Sequence, residues 1–231
     1  APKLNRLMGL GHAHWVDLRD QLSRLLRSGG PEEQARACIL AMTDAEMTVP
    51  AEIGDFTDFY SSINHATNVG RMFRPDNPLL PNYKYVPIAY HGRSSSIRVS
   101  GTPTKRPMGQ LKAPDMDVPK FDACKRLDYE TELGVFVGPG NNLGTSIPLE
   151  EVDEHIFGLC ILNDWSARDI QTWEYQPLGP FMAKNFSSTI SPWIVSLEAL
   201  APYRLAVSKR PEGDPAPLPA VGRPRAAHRR R

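Results

Sequence analysis

Near the start of the chain, apolar side chains recur at helical spacing. Trp15, Leu18, Leu22, Leu25 and Leu26 share one stripe, and Gly29-Gly30-Pro31 ends it. A second helical stretch is predicted from Glu32 to about Met42, before Val49-Pro50. From Ala51 onward the texture changes: apolar runs shorten, β-branched residues rise, and glycine, proline, serine and threonine punctuate them. Tyr85 to Tyr90, Ile97 to Ser100 and Leu133 to Val137 read as short strands. The pattern predicts an α+β chain, helical over 1–50 and β-rich with few helices after that. No fixed-period repeat or heptad is present. Residues 211–219 are proline-rich, and 221–231 form an arginine-rich tail expected to be disordered.

Three stretches gather acids around a histidine, which is what a hard divalent cation and a water-activating base need. In the first, Asp58 and Tyr60 share a face if extended, and His65 follows on the next element. In the second, Tyr129, Thr131, Leu133, Val135 and Val137 alternate with Glu130, Glu132 and Gly134. That alternation places both glutamates on one strand face, about 7 Å apart. Two solvated acids on an exposed face would read the same way. In the third, residues 164–176 read as a helix broken by Pro177. Asp164, Arg168, Gln171 and Tyr175 then fall within a stripe about 60° wide. The alternative is a solvent-facing stripe with an Asp–Arg pair one turn apart. Arg74 could clamp a carboxylate in bidentate fashion, and Lys184 could face an oxyanion, although both also fit surface positions. His12 and His14 are too close along a helix to share a face and read as structural or surface residues.

Charge and cysteine usage narrow the function classes. The 27 basic and 26 acidic residues nearly balance, which argues against nucleic acid or an anionic membrane as partner. Five of the arginines sit in the tail, leaving a mildly acidic body. Cys38, Cys124 and Cys160 have no CxxC spacing, against a disulfide framework or zinc site and in keeping with a reducing cytosol. No apolar run approaches a membrane span, and no signal peptide is visible. The expectation is a soluble cytoplasmic protein. Its first residue, Ala1, leaves open a missing or processed start.

Several motifs resemble the fumarylacetoacetase (fumarylacetoacetate hydrolase) family. They are Asp58-Phe59-Tyr60-Ser61-Ser62 with His65-Ala66-Thr67-Asn68, His91-Gly92-Arg93, Arg106-Pro107-Met108-Gly109-Gln110, Asp128-Tyr129-Glu130-Thr131-Glu132, Asn163 to Gln171, and Trp173 to Phe181. They fall in the family's order from about Leu4 to Pro219. The resemblance implies a β-rich, mixed β-sandwich roll as catalytic domain, incomplete over 51–220 and preceded by a helical remnant of a small N-terminal domain. It implies hydrolysis of a carbon–carbon bond in 4-fumarylacetoacetate to fumarate and acetoacetate, the last step of tyrosine breakdown. Asp58, Glu130, Glu132 and Asp164 would match calcium ligands, and His65 the base that activates water. Arg168, Gln171 and Lys184 would match groups that stabilise negative charge. Tyr60, Arg74, Gln171 and Tyr175 would match substrate contacts. Lys184 and Ser188 would border a second, magnesium-type site near Asp164. The full-length family member is implied to be a homodimer. Two departures stand out: Ser187-Ser188 replaces the family's usual glycine-threonine, and after Pro219 the resemblance stops. The lost part is expected to hold the acid that orients the histidine. An acylpyruvate-type hydrolase and an inactive cation-binding fragment are the alternatives.

Overall fold

The computed structural model describes residues 3–206 and 209–215. The predicted arginine-rich tail and the last residues of the 51–220 unit lie outside the described residues. Three helices open the chain: α1 (Asn5–Met8), α2 (His12–Leu26) and α3 (Glu32–Arg36). The helix predicted from Glu32 to Met42 is thus only five residues long. Strand β1 (Thr57–Phe59), helix α4 (Ile63–Phe73) and strands β2 (Ala89–His91), β3 (Ile97–Val99), β4 (Met108–Leu111) and β5 (Lys120–Ala123) follow. The longest strands are β6 (Leu127–Val137) and β7 (Ile156–Ala167), separated by α5 (Val152–His155). Helices α6 (Arg168–Leu178) and α7 (Met182–Asn185), strand β8 (Ser188–Ile190) and helix α8 (Leu197–Leu200) complete the order. None of the helices among the described residues is long and apolar enough to cross a membrane.

The α+β reading holds. A four-stranded sheet in the order β3-β8-β7-β6 carries two separate ribbons, β1-β2 and β4-β5. Strands β6 and β7 pair antiparallel along their whole length, from Leu127 opposite Ala167 to Val137 opposite Ile156. Two apolar clusters hold the sheet in place. Met8, Ala51, Phe136, Cys160 and Ile190 join the N-terminal residues to its middle. Leu111, Cys124, Ala167, Ile170 and Ala183 join α6 and α7 to the β4-β5 ribbon. Trp15, the buried residue of the predicted helical stripe, packs edge-on against Phe157 at 5.2 Å between centroids and donates its indole N–H to Leu7 O at 2.8 Å. Gly138 admits that ring, since a Cβ there would lie 2.5 Å from it.

The alternation along β6 is as predicted, with an instructive orientation. Glu130, Glu132, Gly134 and Phe136 turn inward, whereas Tyr129, Leu133, Val135 and Val137 are exposed. The acids therefore occupy the sheltered face. A second difference concerns residues 164–167, which continue strand β7 instead of opening a helix. Pairing with β6 fixes all four as strand, and Asp164 pairs with β8 on its other side as well. The helix begins at Arg168, so Asp164 reaches the site from a strand end and Arg168 from the first turn of the next helix.

Candidate active site

Pairing of short strands brings distant acids together. Opposite Asp58 on β1 stands Tyr90 on β2. On the central sheet, Asp164 faces Glu130 on one side and Ser188 on the other. Carboxylate oxygens of Asp58, Glu132 and Asp164 all lie within 4.8 Å of one another. Asp164 is buried, and the other two are half-buried. Burial and the crowding of like charges show in the protonation of Glu132 and Asp164. Burial, then Asp58, Asp164 and Glu130, push the Glu132 carboxyl up to about 8. Burial also raises Asp164 to about 6, against the pull of Lys184. Three crowded, desolvated carboxylates are an oxygen donor set that suits a hard cation such as calcium or magnesium, which would offset their repulsion.

The fourth predicted ligand, Glu130, stands beside this group. Its two oxygens accept from Arg168 Nη2 at 2.7 Å and from Lys184 Nζ at 2.8 Å. Lys184 Nζ also donates to Asp164 Oδ2 at 2.7 Å. A buried ammonium thus links Glu130 to Asp164, and the two cations hold the Glu130 carboxyl below its ordinary range despite its burial. Two of the three Lys184 donors are used among the described residues, leaving one N–H for another acceptor. Arg168 is fixed by three partners: Asp128 at 2.9 Å, Glu130, and Gln171 Oε1 at 3.1 Å. Among the described residues Gln171 accepts through Oε1, and its amide NH2 keeps its donors for another acceptor. Tyr175 lies exposed one turn further along α6, and Ser188 is buried next to Asp164 across the β7-β8 pair.

Helix α4 presents the histidine. Ser62 caps it by accepting from His65 N at 3.3 Å. The exposed His65 ring meets Tyr60 edge-on at 5.3 Å. Burial raises the Tyr60 phenol, with Tyr83 and Glu130 adding to the rise and Arg74 and Arg168 opposing it. Tyr60 therefore sits within the field of both the carboxylate group and the two arginines. Arg74 ends α4 and donates through Nη2 to Pro78 O at 3.1 Å. Among the described residues, no side chain hydrogen bonds to the His65 ring.

Sequence reasoning missed Tyr90. Its hydroxyl reaches Asp58 Oδ2 at 3.0 Å and Asp164 Oδ2 at 2.8 Å, and burial between those two carboxylates raises the phenol far above its ordinary range. The only signal was its place beside His91-Gly92-Arg93. Asp128, the second acid on Arg168, was likewise visible only as part of a motif.

A family model described as "Fumarylacetoacetate (FAA) hydrolase C-terminal" matches residues 56–216. The chain belongs to the fumarylacetoacetate hydrolase family. It is 53% identical over 224 residues to the fumarylacetoacetase of Bos taurus and 52% to that of Homo sapiens, covering 94% of this chain and 53% of each relative. The fumarylacetoacetase of Arabidopsis thaliana is 48% identical, with 94% of this chain and 52% of that protein covered. The chain spans about half the length of the curated relatives it matches. A solved 5-carboxymethyl-2-hydroxymuconate delta-isomerase from Mycobacterium smegmatis overlays with a TM-score of 0.46 at 21% identity, covering 68% of this chain and 52% of that one.

Proposed function

We propose that this site belongs to a hydrolase that cleaves 4-fumarylacetoacetate to fumarate and acetoacetate, the last step of tyrosine and phenylalanine breakdown. The observation that carries this reading is the convergence of Lys184 and Arg168 on Glu130, beside the Asp58–Glu132–Asp164 group. Carbon–carbon cleavage in a β-diketone needs a nucleophilic water at one carbonyl and stabilisation of the enolate that leaves. His65 takes the proton from that water. Arg168, Gln171 and the remaining Lys184 N–H donate to developing oxyanions. Arg74 holds the substrate's terminal carboxylate, with Tyr60 and Tyr175 along its length. One proton returns to the leaving carbon, so substrate and water together give the two acids. Asp58, Glu132 and Asp164, with Glu130 adjoining, would hold calcium, which acts as a Lewis acid toward the enolate oxygen when bound. Lys184 and Ser188 would border a magnesium site. The same reading makes the full-length enzyme a cytoplasmic homodimer.

A full-length form should turn over fumarylacetoacetate in preference to acetylpyruvate, followed by loss of diketone absorbance. His65→Asn should abolish this turnover. Preference for acetylpyruvate, or full activity of His65→Asn, would contradict the proposal. A second reading, cation binding without turnover, draws on the His65 ring having no hydrogen-bond partner among the described residues. It predicts calcium binding but no hydrolysis by the 231-residue chain.

A further inference from the structure

Glu174 lies on α6, three residues beyond Gln171 and six beyond Arg168, yet it points at a different element. The helix loses its geometry at Gln176 (φ −118°, ψ 123°), and Gly179 then reverses the chain at φ 73°. That left-handed value is open to glycine without strain. The Gly179 N–H donates back to Tyr175 O at 2.8 Å, closing the reversal. The chain returns so that three successive backbone N–H groups meet one carboxylate. Glu174 Oε1 accepts from Phe181 N at 3.2 Å and Ala183 N at 2.7 Å, and Oε2 accepts from Met182 N at 3.1 Å.

These are the donors that the first turn of α7 leaves without partners inside the helix. The very next residue is Lys184. Its ammonium, with only 4% of its side chain exposed, links Glu130 to Asp164. Arg168, on the same helix as Glu174, grips the other oxygen of Glu130. Glu174 therefore ties the two cations of the site to one frame. Apolar packing of Ala183 is non-directional, whereas three hydrogen bonds to one carboxylate set where the first turn of α7 lies.

We propose that Glu174 is a positioning residue that sets the place of the Lys184 ammonium against Glu130 and Asp164 by anchoring the start of α7. Its importance for catalysis rests on the charge-stabilising role proposed above for Lys184, but its test needs neither substrate nor cation.

The rate at which an amine-acylating reagent modifies each lysine of the full chain, read by peptide mass spectrometry, reports the position of Lys184. Exposed Lys120 and Lys125 serve as references. Lys184 should react slowly in the unaltered chain. In Glu174→Ala its relative rate should rise about tenfold, the effect of leaving these N–H groups without a charged acceptor. Glu174→Gln keeps one acceptor oxygen and should fall between the two; it also carries the test if Glu174→Ala does not fold. Thiol labelling of Cys160, in the other apolar cluster, should not change. An unchanged Lys184 rate overturns the proposal, and so does a rise matched by Cys160, which would mean general loosening. Hydrolysis measured in parallel on a full-length form separates the two claims. A labelling difference without turnover in any form counts against the hydrolase alone, and turnover without a labelling difference counts against Glu174 alone.

Discussion

Replacing Lys184 by methionine isolates the energetic core of the site, because the apolar stem survives and only the ammonium is lost. Its two bonds, at 2.8 Å to Glu130 and 2.7 Å to Asp164, lie in a place where lysine and aspartate side chains are 4% and 3% exposed. Removing one partner from a buried ion pair costs about 3–5 kcal/mol, because the remaining charge stays desolvated. Both acids keep one other donor, Arg168 for Glu130 and the Tyr90 hydroxyl for Asp164, which points to the lower end of that range. For a chain of this length each kcal/mol shifts the melting temperature by about 2–4 °C, so Lys184→Met should melt about 6–12 °C lower in metal-free buffer. Calcium should narrow the gap: at about a hundredfold over its Kd it contributes about 2.7 kcal/mol to either form, and more to the variant, whose more negative site binds it more tightly. Melts of both forms by circular dichroism, with chelator and with calcium, measure this. A variant melting within about 2 °C of the unaltered chain in chelator would refute the claim that Lys184 is the buried counter-charge.

Two further outcomes follow from contacts outside the carboxylate group. Burial raises the Asp169 carboxyl, but the Cys124 thiol at 3.0 Å and the Lys125 and Ile170 N–H groups at 2.6 and 3.1 Å outweigh it and hold the group below 3.8. Because the folded value is depressed, this stabilisation is complete above about pH 4 and is lost as pH falls through the folded value. Urea melts between pH 6 and pH 3 should therefore show a shallower acid slope for Asp169→Asn, and an unchanged slope would count against the contact. Gly70→Ala would place a Cβ 1.9 Å from Pro78 O, the same carbonyl that Arg74 engages. Overpacking of this kind costs about 1–3 kcal/mol and should appear as a lower urea midpoint at unchanged m.

Local patterns made part of this architecture legible. The stripe through Trp15 predicts α2, and strict alternation predicts β6 with Glu130 and Glu132 on one face. Alternation alone could not say which face is sheltered, since that depends on what the rest of the chain brings over the sheet. Spacing misplaced Asp164, because four residues separate it from Arg168 whether the link is one helical turn or a strand leading into a helix. Its strand assignment comes from pairing with β6 and β8, which are remote in sequence. Tyr90 was hidden for a similar reason: its role exists only through the register that sets it opposite Asp58. Glu174 reads as an ordinary helix-surface acid until the reversal at Gly179 returns α7 to it.

Calorimetric titration of calcium into the metal-free chain tests the central claim most directly, namely that Asp58, Glu132 and Asp164 form a cation site. The predicted result is a one-site binding heat that Glu132→Gln weakens and Asp164→Ala removes. A heat no larger than that of Asp164→Ala would contradict the account.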